Sequence, residues 1–212
     1  MLKLLRQIKK WKLAAFSLLM LIAAFFIYNQ FGNRMSRVDE AKFLIGQLNI
    51  VLDAAEQYSR DNGSLPPITS DTDTNFGYLN INHLIENPGL STWKGPYLPY
   101  DDTWIGGDQY IDHPDYIATQ LLLKEKDSQW ARGSTETGCE SSSSICSVAA
   151  CIWLVPTKVA QEINQIVDGS SSIKSSDAIG KVRYDKAFGG ALICMIGDDY
   201  PMPSMTDKLS RF

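Results

Sequence analysis

The chain has 212 residues, with 20 Lys and Arg against 24 Asp and Glu, for a formal net charge of -4. The charge is unevenly placed: residues 1 to 12 hold five basic residues and no acid, which leaves 15 basic against 24 acidic residues, a net of -9, for residues 13 to 212. So acidic a body argues against nucleic acid as a partner, because a phosphate backbone is held by clustered cations.

The first element follows the basic segment 1–12. From Leu13 to Asn33 the sequence LAAFSLLMLIAAFFIYNQFGN has no charged residue over 21 positions. As a helix it would extend about 31 Å at 1.5 Å per residue, close to the hydrocarbon thickness of a bilayer. Residues 13–33 are therefore expected to form a transmembrane helix. A cleaved signal peptide is the competing reading, but Tyr28, Asn29, Gln30 and Phe31 offer no small-residue cleavage site. Lys3, Arg6, Lys9, Lys10 and Lys12 place the N-terminus in the cytoplasm by the positive-inside rule, and the remainder is exported.

Residues 34–62 are expected to continue as an amphipathic helix. Leu44, Leu48, Val51, Ala55 and Tyr58 recur at intervals of three and four, and Ile45 and Leu52 widen the same face. The stop is well marked. Asp61 and Asn62 are poor helix formers, Gly63 suits a left-handed C-terminal cap, and Pro66 and Pro67 forbid continuation.

Residues 63–212 are long enough for one domain with its own core. Ile81 to Ile85 reads as a brief helix or turn. Asp115–Glu125 and Ser147–Val155 are apolar, partly β-branched and bounded by turn residues, so both are expected strands. PTKVAQEINQIVDG opens with Pro156 at a helix start, places Val159, Ile163 and Ile166 on one face and stops at Gly169. GKVRYD and GGALICMIG supply two further strands. The fold class is α+β: a long N-terminal helix packed on an antiparallel sheet.

Cys139, Cys146, Cys151 and Cys194 are an even set in an exported domain, which points to disulfides. Three pairings are open. The favoured one joins Cys139 to Cys146 around the ESSSSI loop, and Cys151 to Cys194 between two strands. Zinc is the lesser alternative, since no C-x-x-C or nearby His accompanies these cysteines.

Two stretches carry a resemblance. LDAAEQYSRDNGSLPP resembles the segment of the type II secretion pseudopilins and type IV pilins in which the long helix gives way to a D-N-G-x-x-P turn. LIENPGLSTWKGPYLP, Leu84 to Pro99, is similar to the pseudopilin stretch ending in W-x-G-P-Y-L. The resemblance implies a pilin-like fold and a non-catalytic subunit of a type II secretion or type IV pilus system in the inner membrane, its C-terminal domain periplasmic. Its implied partners are other pilin-like subunits and secretion or pilus assembly proteins. A monomeric, membrane-anchored periplasmic protein on the same scaffold is the alternative. One departure bears on this choice. KKWKLAAFSLLM has neither the Gly of a prepilin peptidase site nor a Glu at the fifth position of the apolar run.

Asp101, Asp102, Asp108, Asp112 and Asp115 surround Gly106 and Gly107 beyond that stretch. Carboxylate-rich loops bind calcium, a hard cation that takes six to eight oxygen ligands, and major pseudopilins resemble this in carrying calcium in a loop beyond the same region. Calcium is thus the candidate cofactor, with a solvated acidic loop as the alternative. His83 and His113 are the only histidines and no G-x-S-x-G motif occurs, so no catalytic residue is expected. Trp93, Tyr97, Tyr100, Trp104 and Tyr110 fit packing of the loop onto the long helix, against a ligand platform or subunit contact.

Overall fold

The computed structural model describes residues 20, 36–69, 74–102, 104–126, 138–139, 145–170, 180–187 and 189–201. The chain divides into two compact units, Met1–Ser36 and Arg37–Phe212. The transmembrane span expected at 13–33 lies outside the described residues apart from Met20. Among the described residues no helix is long and apolar enough to cross a membrane.

The second unit opens with α1, Arg37–Asn62. Asp39 and Glu40 in its first turn and Arg60 in its last complement the helix dipole. The helix buries Ala41, Leu44, Leu48, Val51, Ala54, Ala55 and Tyr58, the expected stripe widened by two alanines. Each large side chain in that set contributes on the order of 2 kcal/mol of burial. The helix ends as expected: Gly63 has φ 77° and its N–H donates to the Ser59 carbonyl at 2.8 Å.

Four antiparallel strands form the sheet: β1 (Thr119–Glu125), β2 (Ile145–Val155), β3 (Val182–Ala187) and β4 (Gly190–Pro201), in the order β1-β2-β4-β3. α2, Thr157–Asp168, connects β2 to β3 and packs beside α1. Pro156 precedes α2 and Gly169 closes it in the left-handed conformation. Val159 and Ile163 are buried as expected, but Ile166 is exposed. Ala160 and Asn164 are buried instead, so the inward face is rotated away from Ile166. Asp168 then ties helix to strand, its two carboxylate oxygens accepting the N–H groups of Lys181 and Val182 at 2.8 Å each.

β1 is shorter than the expected Asp115–Glu125. The N–H of Asp115 donates to His113 Nδ1 at 3.1 Å and Tyr116 Oη reaches back to Glu40 Oε1 at 2.6 Å, which bends the chain before Thr119. The strands are buried on both faces. Leu121, Leu123, Val148, Ala150, Ile152, Ile193 and Met195 share the large core with α1, while Leu122, Ala149, Leu192 and the Cys151–Cys194 pair meet Tyr78 on the other side. Coverage of both faces explains why β1 and β2 lack hydrophobic alternation. The outer edge of β1 is paired too. The Leu79 N–H donates to the Leu121 carbonyl and the Cys139 N–H to that of Leu123, which leaves little of that edge open to another chain.

β2 carries a bulge between Ile152 and Val155, where Leu154 has φ 63°. Gly190 lies against it. A Cβ there would stand 2.9 Å from the Leu154 Cα, so the close approach of the two backbones requires glycine. Both disulfides form as favoured, Cys139–Cys146 and Cys151–Cys194, and no free cysteine is present among the described residues. Cys151 and Cys194 sit directly opposite each other in the β2–β4 register.

Candidate functional site

The two stretches that carry the sequence resemblance interlock at the C-terminal end of α1. Asn62 and Asp61, the end of the helix, face Thr92 and Lys94. Thr92 Oγ1 donates to Asn62 Oδ1 at 2.7 Å and Lys94 Nζ to Asp61 Oδ1 at 2.8 Å. Asn62 Nδ2 caps the Tyr58 carbonyl at 2.9 Å. The loop backbone is held from beneath, because the Leu84 carbonyl accepts the N–H groups of Tyr97 at 2.8 Å and Leu98 at 3.2 Å. Gly95–Pro96, inside this stretch, is a cis peptide.

Aromatic packing fills the joint. Tyr97 stands edge-on to both Tyr58 and Trp93, with centroids 5.6 and 5.5 Å apart. Trp93 Nε1 donates to the His83 carbonyl at 2.8 Å, and Tyr58 Oη lies 3.1 Å from His83 Nδ1. Burial pushes the His83 pKa below the usual histidine value, against a smaller pull upward from Asp108. Burial likewise raises the Tyr58 hydroxyl. The hydrogen bond from Lys94 holds the Asp61 carboxyl below its usual range.

A second joint fastens the loop to the N-terminal half of α1. Tyr100 Oη donates to Gln47 Oε1, and Tyr116 Oη to Glu40 Oε1. His113 lies between the two tyrosine rings, at 6.1 and 5.2 Å between centroids. Its Nδ1 accepts the Asp115 N–H, so the neutral ring carries its proton on Nε2, which is buried without a partner among the described residues. Burial lowers the His113 pKa, with Asp115 pulling the other way. The Tyr116 hydroxyl is pushed far above its normal range by burial and then by its bond to Glu40.

The five acidic residues lie around the loop's far end. The Asp112 N–H donates to the Asp101 carbonyl at 3.0 Å, and Asp102 bridges Ile111, so these three belong to a small antiparallel root. Asp108 Oδ2 accepts from Asn80 Nδ2 at 3.0 Å, and Asp115 lies at the His113 bend. Asp101, Asp102 and Asp115 are exposed, while Asp108 and Asp112 are half-buried. Among the described residues no three His, Cys, Asp or Glu side chains gather into a group that could hold a metal ion. These carboxylates are spread along the root, so any calcium they bind must first draw them together.

The aromatics divide three ways. Tyr97 and Tyr100 reach α1 as expected, through Tyr58 and Gln47, while Trp93 packs on the shared core against Tyr97. Tyr110 instead turns to the other side of the sheet, edge-on to Trp153 at 6.1 Å. Trp104 packs on neither and is 81% exposed. Neither histidine hydrogen-bonds a serine or a carboxylate side chain among the described residues. Lys124 is a further unanticipated feature, fully buried on the second face of the sheet, where burial lowers its pKa to about 8.

The outward side of α1 also escaped the stripe-based reading. Phe43 and Ile50 are 38% and 43% exposed, seven residues apart and therefore on one side. Gly46 lies between them with nothing within 4 Å of where a Cβ would stand, which leaves an open notch. The i, i+3, i+7 spacing of these three was visible in the sequence and marks a second, narrower apolar strip. Comparison with known proteins adds no relative: no family model, curated protein or solved structure is significantly similar to the chain.

Proposed function

We propose that the chain is a non-catalytic, pilin-like or pseudopilin-like subunit of a type II secretion or type IV pilus system. Residues 13–33 anchor it in the inner membrane with the N-terminus cytoplasmic, and the unit from Arg37 onward is periplasmic. The observation that carries the reading is the outward strip of α1. A helix already buried along one face against an antiparallel sheet presents Phe43 and Ile50, with the Gly46 notch between them, on another. A small residue between two large ones lets a second helix approach closely, the geometry that packs helices side by side. The interlock of DNG with STWKGPY supports the same reading, since it joins the two stretches on which the resemblance rests.

The missing Gly and fifth-position Glu favour the alternative, an anchored protein on this scaffold that does not polymerise. Cross-linking separates the two. Phe43→Cys and Ile50→Cys, made singly and combined in the full-length chain and oxidised in the membrane, should give disulfide-linked dimers when single and species beyond the dimer when combined. A product that remains monomeric at both positions rejects assembly through this helix and leaves the anchored alternative.

A further inference from the structure

We propose that the loop bearing Trp104 and Ile105 is a docking knob for a basic protein surface with an apolar notch. Trp104 is 81% exposed and Ile105 42%, which makes a large apolar tip facing solvent. An indole so placed keeps most of its apolar surface in water, surface that a partner's pocket would remove from solvent.

The tip stands on a fixed base. Gly106 and Gly107 turn the chain at φ 78° and 89°, and the Tyr110 N–H closes the turn on the Gly107 carbonyl at 3.3 Å. Below it the Asp102–Ile111 bridge leads to Ile111, fully buried and paired with Thr119 at the start of β1. The Ile81 N–H binds the Asp108 carbonyl at 3.0 Å from the opposite side. Such a base lowers the ordering cost of binding, which is what an aromatic anchor needs to dominate an interface.

Charge selects the occupant. Exposed Asp101 and Asp102 lie three and two residues before Trp104, so a partner must bring cations around the pocket that receives the indole. An anionic bilayer would be repelled by the same carboxylates. A second copy fits no better: its body has a net charge of -9, and the groove beside α1 sets Asp53, Glu56 and Asp61 against Arg60 and Lys94 alone. The knob therefore suits a different, basic protein. It stands whether or not the chain polymerises through α1.

The test places the photo-cross-linker benzoylphenylalanine at position 104 of the full-length chain in its host cells, with exposed position 158 as control, and maps the adduct by peptide mass spectrometry. The adduct should fall on a Lys- or Arg-rich segment of another protein, be absent from position 158, and drop at least about fivefold when Asp101→Asn and Asp102→Asn are combined. Unchanged melting of that variant would show that the loss reflects docking and not folding. Once the segment is mapped, Trp104→Ala should weaken binding of a synthetic peptide of that sequence by about 30-fold, as for an aromatic anchor. An adduct on lipid, on this chain or on a segment without basic residues would overturn the proposal. So would a yield indifferent to the Asn substitutions, or no adduct at all.

Discussion

Removing the two disulfides one at a time separates loop closure from local packing. Cys151 and Cys194 are 43 residues apart in sequence, Cys139 and Cys146 only seven. In the chain-entropy description a crosslink restricts the unfolded chain by a term that grows with the logarithm of loop length. That gives about 4 kcal/mol for the long loop and about 2.4 kcal/mol for the short one. All four cysteines are buried, so trimming each pair to alanine adds a similar packing loss of about 1 kcal/mol to both, which cancels in the comparison. Cys151→Ala/Cys194→Ala should therefore cost about 1.6 kcal/mol more than Cys139→Ala/Cys146→Ala. With the packing loss included, about 5 kcal/mol in all, the long-loop variant of a domain of this size should melt about 10 to 20 °C below the parent. The assay is urea and thermal unfolding of the unit Arg37–Phe212, followed by circular dichroism, with the slope against urea recorded for each variant. Equal losses from the two pairs would refute the loop-length argument and place the stabilisation in the folded state, where Cys151 and Cys194 already face each other across β2 and β4.

Two further outcomes follow from the loop and its joints. His83 and His113 both have folded pKa values below the ordinary 6.5, so the unfolded chain takes up protons first as pH falls. Their contribution is complete above pH 6.5, is lost as pH drops below it and levels off beneath the folded values. Urea midpoints at pH 7.5, 6 and 5 should fall in that order, and His83→Gln should flatten the trend. Loss confined to pH below about 4, where the unfolded chain's carboxylates protonate while Asp61 and Asp199, with lowered pKa values, stay ionised in the folded one, would assign the acid sensitivity to carboxylates instead. For calcium, the dispersed carboxylates of Asp101, Asp102, Asp108, Asp112 and Asp115 predict melting that is the same in millimolar calcium and in chelator. A rise of several degrees with calcium, abolished by Asp108→Ala/Asp112→Ala, would show that the ion gathers them.

The elements were legible where a local signal decided them. Gly63 and Gly169 ended helices at the residues where a left-handed cap was needed, and Pro156 opened α2. The stripe Leu44, Leu48, Val51, Ala55, Tyr58 is buried in full because a single face meets the sheet. The misjudged positions depend on partners distant in sequence. Ile166 obeyed the helical period, yet α2 packs between α1 and β3, and the position of those two neighbours turns its inward side toward Ala160 and Asn164. Asp115 to Ala118 had strand composition, but the reach of Tyr116 to Glu40, 76 residues earlier, bends them away. Trp104 belonged to a run of aromatics of one apparent purpose. Composition cannot say which ring meets α1, which meets the sheet and which is left largely in solvent, since that follows from where the loop is fastened.

The fastening itself links the two candidate surfaces. One loop runs alongside α1, held near the middle by Tyr100 to Gln47, at the first turn by Tyr116 to Glu40 and at the last by Thr92 and Lys94 to Asn62 and Asp61. The joint at Asp61 lies on the same side of the helix as Phe43, and Lys94, Pro96 and Tyr97 line a groove with Ile50, yet Phe43 and Ile50 stay 38% and 43% exposed with Gly46 open between them. The fastening also fixes the base from which Trp104 projects. The helical strip and the aromatic tip thus belong to different elements of the same unit, α1 and the loop fastened along it. A subunit able to pack through its helix can still engage a basic partner through its loop, and the cross-links at positions 43 and 50 and at position 104 should form independently.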